Sequence, residues 1–224
     1  MPRRSYNQYC GLARSLDVVG ERWTMLVVRN LLLGPLRYSE LLRGLPGITT
    51  NLLAKRLREM EDAGLIERVR GAAAADGHAY RLTPLGAGLE PAVHALGSWG
   101  WQWMKAPARG ELRSIEFLLV ALRRRYRGGV TLRAEVVADG VPYRVVLSPD
   151  TAEIARGEAP SPDVRVRGTG MAVARLFLEP PPRGRSAPAG IEVDGPLDAL
   201  WTLLGAFATE ELPPARRATN APSR

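Results

Sequence analysis

Cysteine occurs once in this chain of 224 residues, at Cys10, and histidine twice, at His78 and His94. One thiol cannot close an internal disulfide, which fits a reducing compartment rather than a disulfide-stapled secreted domain. Acidic residues are scattered without a defensible pairing. No zinc-type ligand cluster, P-loop, GxSxG or GxGxxG stands at a useful place. Neither an enzyme nor a bound cofactor or metal is therefore expected. Also missing is any run of about 18 apolar residues that could span a bilayer. The opening MPRRSYNQYC has basic residues but no apolar segment behind them, so no secretory signal is expected. The expectation is a soluble, cytoplasmic protein with no membrane partner.

Lysine is scarce too: Lys55 and Lys105 are the only two among 31 basic residues, the rest being arginine. Against these shortages stands an ordinary globular mixture, 46% apolar and 24% charged, with a net charge of +8. A basic balance favours an anionic partner, most commonly nucleic acid. The same arginine-, alanine-, glycine- and proline-rich composition is also what a GC-rich genome encodes. Residues 1–105 hold 14 basic and 9 acidic side chains, the remainder 17 and 14, so the excess is modestly concentrated in the first half. A breaker-rich segment, 106–110, divides the halves. Residues 211–224 have almost nothing to bury and read as a disordered tail.

The first half reads as helix after helix: Gly11–Val19, then 21–33 with Trp23, Leu26, Val27 and Leu31 inward, then Tyr38–Arg43. In the stretch TTNLLAKRLREMED, Leu53, Leu57 and Met60 form the inward stripe of a further helix, capped by Thr49 or Thr50 and ended by Gly64. Asn51, Lys55 and Arg58 fall together on its opposite side. Strands at Ile66–Arg70 and 79–83 follow, joined across an Asp76-Gly77 turn, and Pro84 opens a helix to about Met104. Helices followed by a hairpin make the order of a winged helix-turn-helix. In that architecture Asn51 offers paired hydrogen bonds to an adenine edge, and Lys55 or Arg58 reaches guanine or phosphate. Thr49 and Thr50 stand at a phosphate-attracting helix N-terminus. Arg37 is a further phosphate candidate, and Arg68, Arg70 and Arg81 flank the hairpin where it would track the DNA backbone.

The run YCGLARSLDVVGERWTMLVVRNLLLGPLRYSELLRGLPGITTNLLAKRLREMEDAGLIER, with YRLTPLG after it, resembles the HxlR-type family of bacterial winged-helix transcriptional regulators over residues 9–105. The resemblance implies a homodimer whose N-terminal and last helices pair across the twofold. Its two recognition helices would then meet successive major grooves of a pseudo-palindromic operator in double-stranded DNA. It also makes Cys10 a candidate redox sensor, since some members carry a sensing cysteine at this place; the other reading is a small apolar residue packed at the dimer interface. The wing tip, AAAAD, departs from the family in lacking extra cations. In SWGWQWM, Trp99 and Trp103 share a helix face while Trp101 points elsewhere, which reads as interface packing, the sharper alternative being an aromatic ligand box.

In the second half Ile115, Leu118, Leu119 and Leu122 mark a helix closed by the cations Arg123, Arg124, Arg125 and Arg127. TLRAEVVADGVPYRVVLS alternates around Asp139-Gly140 as a hairpin. Strands at 152–157, 163–167 and 191–193 and helices at Gly170–Leu178 and 197–208 complete an α+β order, a mostly antiparallel sheet with helices on one side. Residues 111–210 resemble the sterol-carrier-protein-like domains. That resemblance implies an apolar tunnel lined by Phe117, Leu118, Val136, Tyr143, Val145, Met171, Leu176, Phe177, Trp201, Leu204 and Phe207.

Two functions follow as expectations. One is a regulator that binds operator DNA as a homodimer and answers to a hydrophobic small molecule in its C-terminal domain. The other is a lipid or small-molecule carrier using the winged helix only as a dimerisation scaffold.

Overall fold

A computed structural model describes residues 5–70, 78–104, 109–179 and 186–207. The Asp76-Gly77 turn with the wing tip, most of the 106–110 segment and the 211–224 tail lie outside the described residues. Contacts divide the chain into two units, Met1–Val93 and His94–Arg224.

The first unit runs α1 (Gly11–Val19), α2 (Thr24–Leu31), β1 (Leu36–Arg37), α3 (Tyr38–Arg43), α4 (Thr50–Asp62), β2 (Ile66–Arg70), β3 (His78–Leu82) and α5 (Pro84–Ala87). Its core joins Val27, Val28 and Leu31 of α2 to Leu41 of α3 and to Leu53, Leu57 and Met60 of α4, with Leu65 and Ile66 beneath them. The strands form a sheet in the order β1-β3-β2. This is a winged helix-turn-helix.

Three expectations need correction here. The helix expected over 21–33 starts only at Thr24, because Trp23 sits at φ +83, a left-handed conformation that a helix cannot contain. Leu26 is exposed, since Val27, Val28 and Leu31 already fill the inward stripe of α2. The single helix expected from Pro84 to Met104 is broken into α5, α6 (Glu90–Gly100) and a 3-10 turn (Trp101–Trp103). Gly86 and Gly88 weaken the helix, and Pro91, with no N–H to donate, is tolerated in the first turn of the next one. Gly86 is fixed by packing: a Cβ there would stand 2.0 Å from the Leu65 carbonyl oxygen.

The second unit continues from the latter part of α6 with α7 (Ile115–Arg125), β4 (Leu132–Ala138), β5 (Val141–Ser148), β6 (Thr151–Arg156), β7 (Val164–Gly168), α8 (Gly170–Leu178), β8 (Ile191–Asp194) and α9 (Leu197–Gly205). The sheet order is β6-β5-β4-β7-β8. All pairs are antiparallel except β4 with β7, a parallel pair that local pattern does not announce. Asp139 and Gly140 both have positive φ, the paired left-handed residues of a tight hairpin turn.

The register sorts the side chains by face. Ala134, Val136, Tyr143, Val145, Ile154, Val164 and Val166 lie on one side, buried, and α7, α8 and α9 pack against the sheet. The other side carries cross-strand ion pairs, Arg144 with Glu153 and Arg165 with Glu135 and Asp194. The unit is an α+β layer with one wet and one dry face.

Candidate nucleic-acid interface

Five contacts hold α4 in place. Thr49, rather than Thr50, is the cap: its Oγ1 accepts the Leu52 N–H at 3.3 Å. Tyr38 Oη donates to the Thr50 carbonyl at 2.7 Å, tying the first turn of α3 to the first turn of α4. On the inward side Arg56, only 5% exposed, reaches Glu59 at 2.6 Å and Glu21, in the turn between α1 and α2, at 3.0 Å. At the far end the Thr83 hydroxyl donates to the Gly64 carbonyl at 2.6 Å. A helix held at its start, middle and end can present its outer face at a defined angle.

That outer face carries Asn51, Lys55 and Arg58 at i, i+4 and i+7, all exposed, with Thr49 and Thr50 exposed at its head. Lys55 stands 3.8 Å from Glu59 with both side chains open to solvent, a pair that high dielectric and salt leave weak. The amide, ammonium and guanidinium together make a strip of donors suited to base edges and phosphates.

The wing separates the remaining cations. Register places Arg68 and Arg70 on one face of the β2–β3 pair and Arg81 on the other. Arg68 is paired with Glu61 at 3.0 Å and lies 5.7 Å over the Tyr80 ring, and Arg81 pairs across the strands with Glu67 at 2.7 Å. Arg37 stands in β1 opposite Ala79, where its N–H donates to Glu40 at 2.6 Å. The structure thus gathers Thr49, Thr50, Asn51, Lys55 and Arg58 on one helix, while Arg37, Arg68, Arg70 and Arg81 are spread over the three-stranded sheet.

Arg56 and Tyr38 were not expected to matter. The available signal for Arg56 was a cation on the Leu53–Leu57–Met60 stripe, where a solvated arginine does not belong.

Cys10 is exposed immediately before α1, and the backbone N–H groups of Ala13 and Leu12 hold its thiol below the ordinary value. Trp99 and Trp103 lie 5.9 Å apart and exposed. Of the residues expected to line a tunnel, Val136, Tyr143, Val145, Leu176, Phe177, Leu204 and Phe207 are buried. Phe117, Leu118 and Trp201 are half-buried, and Met171 is exposed. Phe177 meets Phe207 edge-on at 5.9 Å. Among the described residues there is no cluster of three or more His, Cys, Asp or Glu that could hold a metal. No described helix is long and apolar enough to cross a membrane.

Residues 18–108 match the HxlR-like helix-turn-helix family. The chain is 38% identical over 96 residues to an HTH-type transcriptional regulator of Mycobacterium tuberculosis (strain H37Rv), an alignment spanning 43% of this chain and 60% of that protein. It is 35% identical over 108 residues to YkvN of Bacillus subtilis, also named an HTH-type transcriptional regulator, spanning 48% of this chain and 92% of that one. Among solved structures it is similar to the reduced form of the transcriptional regulator YodB of Bacillus subtilis, with 27% identity, a TM-score of 0.38, and coverage of 45% of this chain and 100% of that one.

Proposed function

Since this chain belongs to the HxlR-like helix-turn-helix family, whose relatives are named as transcriptional regulators and not enzymes, we propose that it binds operator DNA as a homodimer and responds to a hydrophobic small molecule. The observation that carries the DNA reading is the outer face of α4, where Asn51, Lys55 and Arg58 are exposed together on a helix anchored from behind by Arg56. The exposed apolar side chains Leu12 and Leu16 on α1, and Leu96 and Trp99 on α6, are what a partner copy would cover. For the second unit we take the sterol-carrier-protein-like reading, supported by a sheet whose buried face is apolar and packed with helices on that side. Operator and effector are then linked reciprocally: whatever factor the effector imposes on DNA affinity, DNA imposes on the effector.

The test is a fluorescence-anisotropy titration of the full chain against the upstream region of its own gene at several salt concentrations. Sequence-selective binding that weakens steeply with salt is expected, because phosphate contacts release counterions. Arg58→Ala should cost about 1–3 kcal/mol of that affinity. Binding no stronger than to random DNA would overturn the reading.

A further inference from the structure

The buried Arg56 meets two carboxylates where one would balance its charge. Its Nη2 donates to Glu21 Oε2 at 3.0 Å and its Nη1 to Glu59 Oε2 at 2.6 Å. Glu21 lies outside α4, in the turn before α2, whereas Glu59 lies on α4 itself, four residues after Lys55. That spacing sets Glu59 beside Lys55 on the flank of the outer strip, and its side chain is 44% exposed. A carboxylate next to a surface that meets phosphates lowers affinity through like-charge repulsion. Left free, such a side chain would swing away from the DNA. Arg56 pins this one in place.

The pinning engages only one of its oxygens. Oε2 is taken by Arg56, but Oε1 stands 3.8 Å from Lys55 Nζ, an ion pair too long to be a hydrogen bond. Glu61, two residues on, differs: Arg68 reaches both of its oxygens at 3.0 Å. On its exposed side α4 thus presents a fixed acceptor, Glu59 Oε1, next to a donor, Lys55 Nζ. Helix stability does not account for the pair. Lys55 precedes Glu59, the weaker order for an i, i+4 pair, and both side chains are open to solvent.

We infer that Glu59 reads a cytosine in the operator, its Oε1 accepting from the cytosine N4 amino group, with Arg56 as the residue that positions it. In the major groove only cytosine and adenine offer donors, through N4 and N6. Adenine N6 is flanked by the acceptor N7, which suits an amide such as Asn51 and repels a carboxylate. Cytosine shows no acceptor there, and its guanine partner presents O6 and N7 to a donor such as Lys55. The Lys55–Glu59 pair therefore matches a G·C pair read in one orientation. Opposite guanine or thymine the carboxylate would meet only acceptors, so Glu59 lowers affinity for wrong sites more than for the right one. The inference rests on reading α4 as the helix that enters the groove, and names a base that it reads.

The experiment is selection of bound sites by the full chain from a random double-stranded DNA library, followed by sequencing. The parent should select a motif with a cytosine column, that base favoured about tenfold, the size of one hydrogen bond to a charged acceptor. Glu59→Gln, which sets a donor beside its acceptor, should lose cytosine from that column, gain adenine there, and keep the other columns. The double variant Arg56→Leu/Glu59→Ala, which leaves no buried cation half-balanced, should lose the cytosine preference altogether. Glu61→Gln removes an equal charge from the same helix and should select the parent's motif. A parent motif without a cytosine column would overturn the inference and leave the DNA reading standing. So would a cytosine column that survives either Glu59 variant, or one that Glu61→Gln erases as well. If the parent selects no motif at all, the DNA reading falls and the inference with it.

Discussion

Cys10 and Arg56 show how differently one side chain can depart from its residue type's habit. The Cys10 thiol is open to solvent, and backbone N–H groups at the head of α1 favour its ionised form. Thiolate character and access together set susceptibility to oxidants. Brief treatment with dilute hydrogen peroxide is therefore expected to modify Cys10, either as an oxygen adduct or as a bridge between two chains. Intact-mass and peptide mass spectrometry would read this, and an unmodified thiol would remove Cys10 from any account of sensing. Arg56 is the opposite case, a cation withdrawn into the core side of α4 with its fork turned back to Glu21 and Glu59. Its long apolar stem packs where a leucine would, and its charge stitches α4 to the turn after α1. Its place on the Leu53–Leu57–Met60 stripe marks it as unusual, but the local sequence does not name the partner that matters, Glu21, which is 35 residues away.

Elements were legible where a local signal decides them, and opaque where a distant contact does. The bounds of α1, α3, β2 and α8 followed from periodicity and from Gly or Thr punctuation, and the outward face of α4 followed from helical spacing alone. The break between α5 and α6 was harder, since apolar residues continue past it. The parallel pairing of β4 with β7 and the two-residue strand β1 are tertiary facts, set by which strand lies alongside. Trp23 belongs to this second class, an aromatic residue held in a left-handed conformation that its type disfavours. The junction after α4 provides a test. Gly86 is at a site where a Cβ would run into the Leu65 backbone, whereas at Gly97, in α6, a Cβ would meet nothing within 4 Å. Gly86→Ala is expected to lower unfolding free energy by about 2–3 kcal/mol, because backbone must move. Gly97→Ala should raise it by about 0.5–1 kcal/mol through helix propensity. Urea unfolding of the two variants should therefore move in opposite directions from the parent. A tolerant Gly86→Ala would mean that α5 is not pressed against Leu65.

At the scale of the whole molecule, acidification acts on a chain that is already basic, so each carboxylate neutralised adds to self-repulsion. One carboxylate does more than this. Glu135 lies on the wet face of the second unit's sheet yet is 4% exposed, with the Ala159 N–H donating to it at 2.8 Å and Arg165 paired with it. Burial alone would raise its pKa, but the Ala159 N–H and Arg165 outweigh that and hold it below the ordinary value of 4.5. A carboxyl whose folded pKa lies below its unfolded one stabilises the fold above the unfolded value. That contribution fades as pH falls through the folded value. Glu135→Gln removes the ionised form while keeping the shape, and it weakens the bond to Ala159 that ties the segment after β6 to the sheet. The variant should therefore be less stable than the parent to urea at pH 7. The gap should narrow once pH drops below 4.5 and close as the parent's own Glu135 takes up its proton. A gap of constant size across that range would mean that Glu135 contributes by packing and not by charge. The wet face would then be an ordinary salt-bridged surface, leaving the acid response of the chain to its net charge.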